Sequence, residues 1–426
     1  MNRRFTIPRL GWVIAGMLFL ITLINYTDRM ALSVLVGQVR EDLRLTEADY
    51  SHIVTFFLVA YALMYGASGY IVDRLGTKRG LALFVFSWSV AQMLHGLAIG
   101  KWSMAGCRFL LGLTEPGNFP AATKAIREWF PPQKRALGVG IFNLGSSLGA
   151  AVAAPVAAFI GLRYGWRAAF VITGLFGLVW LVAWAVLYEA PRKNRWLRHE
   201  ELAQLEAEGL FREKEEVRPR VNWLAVFKSH PCVMLMVARF FTDPVIYFVI
   251  FWLPAYLQKE RGFGLEDIGK YGWVPYTFGG LGYLIGGWLS GKLISTGWSL
   301  PNARKAAMGL GAVMLPVGIL APVMPTASLA IAASSFVVLG HAIWIANLLT
   351  LPADIFPSHE VGTASGLSGM GGSIGGILAT MLTGYIVTKF SYTPLFIWAG
   401  LMHPLAFFLI WRYMPNRLFP QPLRAA

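Results

Sequence analysis

Long apolar stretches alternate with short polar ones along this chain, and each apolar stretch is long enough to cross a lipid bilayer. A membrane-spanning helix needs roughly 20 mostly apolar residues. Twelve stretches meet this requirement, and the pattern predicts spans at 11–36, 50–72, 79–99, 102–124, 136–161, 167–188, 231–257, 270–291, 304–324, 327–350, 361–387 and 391–412. We therefore expect an all-α membrane protein with twelve transmembrane helices.

The one long polar stretch, 190–230, lies between the sixth and seventh predicted spans. It contains RKNRWLRHEELAQLEAEGLFREKEE, which is typical of an amphipathic helix on a membrane surface. The chain is thus predicted to consist of an N-terminal six-helix half (1–189), a cytoplasmic linker (190–230) and a C-terminal six-helix half (231–426).

The fifth and eleventh predicted spans repeat one another. GIFNLGSSLG at 140–149 and GLSGMGGSIG at 366–375 share three glycines and one serine without a gap, and Phe-Pro precedes both at the same offset. Such a repeat indicates two pseudo-symmetric halves, which is a transporter architecture. Both segments also fit the hydrolase pattern G-x-S-x-G, but that motif needs a strand–turn–helix context. Small residues that let helices approach closely explain the pattern here.

Composition agrees with a membrane protein, since 56% of the residues are hydrophobic and the mean hydropathy is +0.55. The net charge of +15 resides mainly in loops, so it indicates orientation in the membrane and not a nucleic-acid partner. The distribution of Lys and Arg predicts that the linker and both termini are cytoplasmic, in a bacterial-type inner membrane. Neither the two cysteines nor any His, Asp or Glu spacing predicts a metal site, and we expect no cofactor.

Charged pairs lie inside the first and fourth predicted spans, and each charge costs a few kcal/mol inside a bilayer. Asp28 and Arg29 lie in the first span, and Arg108 and Glu115 lie in the fourth. Ion pairs that lock helices together are the structural explanation. The functional explanation, which we favour, is a site that binds an anion and exchanges protons. Arg108 and Glu115 are two helical turns apart on one stripe, and we expect them to be partners, with Gly112 leaving room between them.

Arg29 shares a helix face with Tyr26 and Asn25, which precede it by three and four residues. A guanidinium group can hold a carboxylate through two parallel hydrogen bonds. This face therefore predicts a carboxylate-binding position.

The loop between the second and third spans, Gly69-Tyr-Ile-Val-Asp73-Arg74-Leu-Gly76-Thr-Lys-Arg, resembles the signature loop of the major facilitator superfamily. Within that superfamily, Asn-Tyr-Thr-Asp-Arg at 25–29 and RFLLGLTEPGNFP at 108–120 resemble the anion:cation symporter family, which includes bacterial sugar-acid carriers. Phe-Thr-Asp-Pro at 241–244 and Phe-Asn at 142–143 resemble its hexuronate subgroup. The resemblance covers the whole chain.

The resemblance implies a proton-coupled carrier of small carboxylates. It assigns Tyr26 and Arg29 to the substrate, Asp28 and Glu115 to protons, and Arg108 as partner of both acids. It also places Tyr61 near the substrate. Further candidates for substrate binding, each equally compatible with a helix-packing role, are Tyr65, Asn143, Ser146, Trp344, Asn347 and Ser373. Gly69, Asp73, Arg74 and Gly76 would form a gating loop.

Other polar residues in the spans are assigned structural roles. Arg239 and Asp243, four residues apart, are predicted to neutralise each other. His95, His341 and His403 are scattered singly, and each is expected to be a buried, satisfied histidine that relays no protons.

These features predict a symporter that imports a sugar acid, a hexuronate or an aldonate, together with protons, acts as a monomer and is not an enzyme. An anion exchanger is a weaker alternative because it would need cations in both halves, and we expect no Arg or Lys in spans eight to twelve. A drug exporter is disfavoured by the buried arginines. An intramembrane hydrolase lacks a Ser-His-Asp constellation.

Overall fold

The computed structural model describes residues 6–208, 210, 211, 221–263, 267 and 270–419. In this part of the chain the regular structure is helical, with no strand. The predicted amphipathic linker helix is found in part, as a helix at His199–Ala207. The rest of that prediction at 212–220, and the two chain ends to which a cytoplasmic position was assigned, lie outside the described residues.

The α-helices are numbered in chain order. They are α1 Leu10–Val34, α2 Val36–Leu43, α3 Glu47–Leu75, α4 Thr77–Leu94, α5 Lys101–Thr114, α6 Asn118–Trp129, α7 Pro132–Leu187, α8 His199–Ala207, α9 Trp223–Lys228, α10 His230–Arg261, α11 Val274–Ser295, α12 Leu300–Met314, α13 Ala327–Leu348, α14 Leu351–Ile355, α15 Val361–Lys389 and α16 Thr393–Tyr413. Short 3-10 segments stand at His95–Leu97, Glu115–Gly117, Pro191–Lys193, Leu315–Val323 and Asn416–Leu418.

Helix occupies each of the twelve stretches predicted to span the membrane. Among the described residues, nine helices are long and apolar enough to cross a bilayer. The longest, α7, covers two predicted spans and is interrupted at Gly165, whose φ of 81° and ψ of 161° are not helical. This backbone conformation favours glycine because a side chain would be strained there. The nearly all-helical architecture is confirmed, while the count of twelve spans stays a prediction.

The chain forms two compact units. The described residues of unit 1 fall within 1–131, 141–223 and 357–366, and those of unit 2 within 132–140, 224–356 and 367–426. Unit 1 has an apolar core that includes Leu32, Ile53, Met104 and Phe170. The core of unit 2 includes Phe248, Tyr256, Val337 and Phe396. The predicted domain boundaries at 189 and 231 stay predictions.

The repeated glycines have the same packing role in each unit. In unit 1, Gly145 and Gly149 lie against the backbone of α1 at Phe19 and Leu23. A side chain at either glycine would overlap those carbonyl oxygens. The first glycine of the other copy, Gly366, is also in unit 1 and lies against the carbonyl of Tyr65 on α3.

In unit 2 the corresponding contacts recur. Gly371 and Gly375 lie against α10 at Met236 and Phe240, and Gly140 lies against the carbonyl of Tyr283 on α11. Close helix approach, allowed by the missing side chain, thus accounts for the motif that also fits the hydrolase pattern.

Candidate functional site

The centre of the candidate site in unit 1 is an ion pair between Arg29 of α1 and Glu115. Both Nε and Nη2 of Arg29 lie 2.8 Å from Oε2 of Glu115. The Glu115 side chain is fully buried and that of Arg29 is 17% exposed. Glu115 begins the 3-10 turn that separates α5 from α6, followed by Pro116. The geometry shows that this arginine can hold a carboxylate with two of its nitrogen atoms.

Three aromatic rings surround the guanidinium of Arg29. Its central carbon lies 4.5 Å from the ring centre of Tyr61, 4.8 Å from that of Tyr26 and 5.5 Å from that of Phe57. Such rings attract a cation and restrict its motion. Tyr26 and Tyr61 therefore meet at Arg29, and their role in binding the substrate stays a prediction. Phe57 is a member of the site that sequence reasoning missed, because an apolar residue in an apolar helix gives no signal.

Tyr65 extends the aromatic cluster away from Arg29. Its ring centre lies 5.4 Å from that of Tyr61 and 6.4 Å from that of Phe119. The ring centre of Phe119 in turn lies 6.1 Å from that of Phe142 on α7. The same helical segment of α7 contains Asn143 and Ser146, both buried. The Ser146 hydroxyl donates 2.6 Å to the backbone oxygen of Asn143. Tyr65, Asn143 and Ser146 are thus all in unit 1, and their role in reading substrate hydroxyls stays a prediction.

Arg108 interacts electrostatically with both Glu115 and Asp28, as expected, but in the described part of the chain it is not seen in an ion pair with Glu115. Its Nη2 atom donates to the backbone oxygen of Arg29 at 3.2 Å, and its guanidinium lies 5.6 Å from the Phe57 ring centre. The carboxylate of Glu115 is bound by Arg29 instead. Glu115 keeps helical dihedral angles at the end of α5, where it begins the 3-10 turn, and its carboxylate lies against α1 through Arg29. Gly112 is not a gap between the two charges, because it lies against the backbone of Phe57 and the side chain of Ala60 on α3.

Asp28, the neighbour of Arg29 in the chain, is fully buried. Within the described part of the chain, neither of its carboxylate oxygens has a hydrogen-bond partner of good geometry. Glu115, Arg108 and Thr173 are the groups that act on it electrostatically or through a polar contact. Gln92 of α4 fixes the local backbone, since its amide donates to the carbonyl of Asp28 at 3.3 Å and to the Thr173 hydroxyl at 3.0 Å. Gln92, a buried amide in an apolar span, could have been noticed from the sequence.

The three candidates of the second half belong to unit 2. Trp344 is fully buried, and Asn347 donates to the carbonyl oxygens of Gly286 and Ile343 at 3.0 and 3.1 Å. Ser373 is 6% exposed on α15. The amide of Asn347 is used in helix packing, and the substrate roles of all three stay predictions.

Also in unit 2, Arg239 and Asp243 form the expected ion pair. The Nη2 and Nε atoms of Arg239 lie 2.6 and 2.9 Å from Oδ2 of Asp243.

The expectation that His341 and His403 are isolated is wrong. Nδ1 of His341 lies 3.0 Å from Nε2 of His403, and both rings are buried. They are 62 residues apart on α13 and α16, so only helix packing could bring them together.

In unit 1, His95 was expected to be buried with its hydrogen bonds satisfied. This is met in part, since its Nδ1 atom lies 2.8 Å from the carbonyl oxygen of Ala91.

The predicted gating loop closes around Asp73, whose side chain is fully buried. Its Oδ1 atom accepts from Lys124 at 2.5 Å and from the backbone N–H of Gly362 at 3.1 Å. Its Oδ2 atom accepts from the N–H and the hydroxyl of Thr363 at 2.6 and 2.7 Å. The acid therefore binds the amino end of α15, where orphan N–H groups favour an anion.

The other members of the loop have distinct tasks. Gly69 lies directly against the backbone of Gly362, where no side chain would fit. Gly76 ends α3 at φ 80°, a conformation that suits glycine. Arg74 is exposed, with its Nη1 atom 3.2 Å from the Tyr70 hydroxyl.

Unit 2 contains a second buried acid with two arginines. Asp354 binds Arg304 through Oδ2 at 2.8 Å and Arg135 through Oδ1 at 3.0 Å. Arg304 also donates to Ser290 and to the carbonyl of Pro132, both at 2.7 Å. The expectation of no Arg or Lys in spans eight to twelve is wrong on the sequence itself, since the bounds of these spans include Lys270, Arg304, Lys305 and Arg412. Of these four residues, Arg304 is fully buried. Asp354 neutralises it, which allows the charge to be buried.

Metal ligation is not suggested by the described residues, which contain no group of three His, Cys, Asp or Glu side chains able to hold an ion.

The sequence of this chain is similar to a known family and to several known transporters. A family model described as Major Facilitator Superfamily matches residues 18–380 and 302–425. The chain is 29% identical over 413 residues to a hexuronate transporter of Escherichia coli (strain K12), covering 96% of this chain and 95% of that protein. It is 30% identical over 314 residues to a galacturonate transporter of Dickeya chrysanthemi, covering 73% and 90%.

The fold is similar to that of the proton:xylose symporter XylE bound to 6-bromo-6-deoxy-D-glucose. The TM-score is 0.75 at 16% identity, with 95% of this chain and 96% of that chain covered. The resemblance to sugar-acid transporters and the fold class expected from the sequence are both confirmed.

Proposed function

Because the chain belongs to the major facilitator superfamily, we propose that it is a proton-coupled symporter that imports a small sugar acid, a hexuronate or an aldonate. It is a multi-pass membrane protein, and transport requires no covalent chemistry of the cargo. Two of its similar relatives are named as transporters of hexuronate and galacturonate, which are carboxylates with several hydroxyl groups.

The observation that carries the proposal is the Arg29–Glu115 ion pair with its aromatic surround. Glu115 occupies the position on Arg29 that a substrate carboxylate would need. A substrate acid therefore competes with Glu115 for the same guanidinium. Tyr26 and Tyr61 flank that position and present phenol groups to the arriving anion.

The net charge of the buried cluster can couple binding of the substrate anion to binding of a proton. Arg29, Arg108, Asp28 and Glu115 carry a net charge of zero when all four are ionised, and Arg108 and both acids are buried. An anion that enters would leave the cluster with an excess negative charge in a site of low polarity, which is costly. Protonation of the displaced Glu115, or of Asp28, restores neutrality. The loaded, neutral cluster then permits the carrier to change conformation, and loss of the proton inside releases the substrate.

The remaining assignments complete the proposal. Asn143 and Ser146 in unit 1, and Trp344, Asn347 and Ser373 in unit 2, would read hydroxyl groups. Tyr65 would shape the site beside Tyr61. The loop of Gly69, Asp73, Arg74 and Gly76 would control the conformational change of the carrier, since Asp73 accepts three hydrogen bonds from the amino end of α15 and a fourth from Lys124 of α6.

The function is tested by uptake into proteoliposomes. Labelled glucuronate, galacturonate and galactonate are offered with and without a pH gradient, acid outside. We expect accumulation of at least one of them above equilibrium only when the gradient is present. Exchange of labelled for unlabelled substrate with no net uptake under the gradient would instead identify an anion exchanger. Failure of all three acids to move would contradict the proposed substrate class.

The orientation is tested separately. We propose that both termini face the cytoplasm of a bacterial host and that the protein acts as a monomer in the plasma membrane. An alkaline phosphatase fused to the C-terminus should then be inactive, and a fluorescent protein at the same place should fluoresce. The reverse result would contradict the proposed orientation.

A further inference from the structure

Unit 2 contains a pair of titratable side chains that the proposed mechanism does not use. His341 on α13 and His403 on α16 are 3.0 Å apart through Nδ1 and Nε2, and they are 4% and 0% exposed. The Trp344 ring stands edge-on to His403, with ring centres 5.5 Å apart. Among the described residues, Nδ1 of His403 and Nε1 of Trp344 have no hydrogen-bond partner.

The distance requires one proton between the two rings, since two bare nitrogen lone pairs would repel each other at 3.0 Å. A neutral pair carries two protons, one between the rings and one on an outer nitrogen. One outer nitrogen is thus free to accept a third proton. The product would be an imidazolium bonded to a neutral imidazole, with a single positive charge in a buried place.

A nearby ion pair determines whether that charge is tolerated. Within the described chain, the charged groups that act on His341 are Asp243 and Arg239 of α10, and the group that acts on His403 is His341. While Arg239 and Asp243 form their ion pair, the opposite effects of their charges on His341 largely cancel. When Arg239 is engaged elsewhere, Asp243 is left as an uncompensated negative charge that acts on His341.

We propose that the His341–His403 pair is a second proton-binding site of this protein, distinct from Asp28 and Glu115, and that it takes up a proton when Arg239 releases Asp243. The proton comes from water and adds to the free outer nitrogen, and Asp243 provides the countercharge. An anion that takes the guanidinium of Arg239 would trigger the uptake. This link to an anion rests on the proposed function, whereas the proton site itself does not.

The experiment measures protonation of the histidine side chains directly. Protein labelled with 15N-histidine is placed in lipid nanodiscs and titrated by NMR, with His341→Gln and His403→Gln used for assignment. His95→Gln is the control that should leave the signals of the pair unchanged, since His95 lies in unit 1 and bonds to a backbone carbonyl.

Two charge-changing variants should move the titration in opposite directions. Arg239→Gln leaves Asp243 unbalanced, so the midpoint for protonation of the pair should rise by about one pH unit or more relative to Arg239→Lys. Asp243→Asn leaves Arg239 unbalanced, so its midpoint should fall below that of Arg239→Lys. Arg239→Met is the second variant should Arg239→Gln fold poorly, with the same expectation.

Equal midpoints for Arg239→Gln and Arg239→Lys, or shifts of the same sign in Arg239→Gln and Asp243→Asn, would overturn the proposal. The titration needs no transport, so the absence of sugar-acid uptake would contradict the proposed function and leave this test intact.

Discussion

The two units bury similar sets of charges and use them differently. In unit 2, both oxygens of Asp354 are bound, and Arg304 uses Nε, Nη1 and Nη2 in hydrogen bonds. In unit 1, both oxygens of Asp28, Oε1 of Glu115 and Nε of Arg108 have no hydrogen-bond partner among the described residues. A fully bonded cluster resists change, because any motion exposes a buried charge. A cluster with free bonding capacity is suited to accept a proton or an anion. Incomplete bonding, and not burial of charge as such, therefore separates the candidate site from the Asp354 cluster.

The largest effect is expected from Asp354→Ala. It leaves Arg304 and Arg135 buried without their carboxylate, which should cost about 3–5 kcal/mol of stability. The midpoint of thermal or denaturant unfolding in nanodiscs measures the loss. Asp28→Asn is the matched control in unit 1, where no ion pair is broken, and its loss should be much smaller. Equal losses in the two variants would contradict the distinction between the clusters.

Arg29→Lys should be the most damaging change to transport that leaves the fold intact. A lysine keeps the charge but cannot contact a carboxylate through two nitrogen atoms, so substrate affinity should fall by about 100-fold or more. Binding is measured with labelled substrate in proteoliposomes. Arg163→Lys, at an exposed arginine outside the site, is the control and should bind normally. Near-normal affinity in Arg29→Lys would remove Arg29 from the substrate site.

Glu115→Gln should separate exchange from net transport. A permanently neutral amide mimics the protonated acid, so the loaded carrier still changes conformation, but it delivers no proton. Accumulation driven by a pH gradient should disappear, while counterflow of labelled against unlabelled substrate should keep about a tenth or more of its rate.

Asp28→Asn should behave similarly if both acids share the coupling. Should Glu115→Gln still accumulate substrate under a pH gradient, Glu115 is not the coupling group, and Asp28 becomes the candidate.

The smallest effect is expected at Asp49, near the start of α3 and outside the predicted spans. The hydrogen bond and charge of Lys101, 2.7 Å away, together with Thr46, hold the pKa of this carboxyl well below its usual range. A lowered pKa adds stability above the unfolded value of about 4, and this is lost as the pH falls through the folded value.

Asp49→Asn should therefore lower the unfolding temperature slightly at neutral pH and flatten its decline below about pH 4. Unfolding scans at several pH values would measure this, with Glu47→Gln, a largely exposed residue of the same turn, as control. A pH dependence identical to that of the unaltered protein would exclude Asp49 as a contributor.

Much of the fold could be predicted, because the signals for it are local. Apolar runs predicted where helices lie. The repeat of Gly145 and Gly149 at Gly371 and Gly375 predicted that a glycine-bearing helix approaches a neighbouring helix closely within each unit. The site could be predicted in part, since Arg29 and Tyr26 lie on one face of one helix. The ion pair between Glu115 and Arg29 could not be predicted, because it depends on how the segment around Glu115 packs against α1, which the spacing of residues along one helix does not reveal.

The sequence by itself determined the helical membrane architecture, the signature loop and the buried charges, since hydrophobic length and residue type are properties of single segments. Only the tertiary structure decided which charges meet. Glu115 pairs with Arg29 across 86 residues, Asp354 with Arg304 across 50, and His341 with His403 across 62. The physical reason is that helical periodicity assigns a residue to a face, whereas its partner depends on which helix packs against that face and at what height.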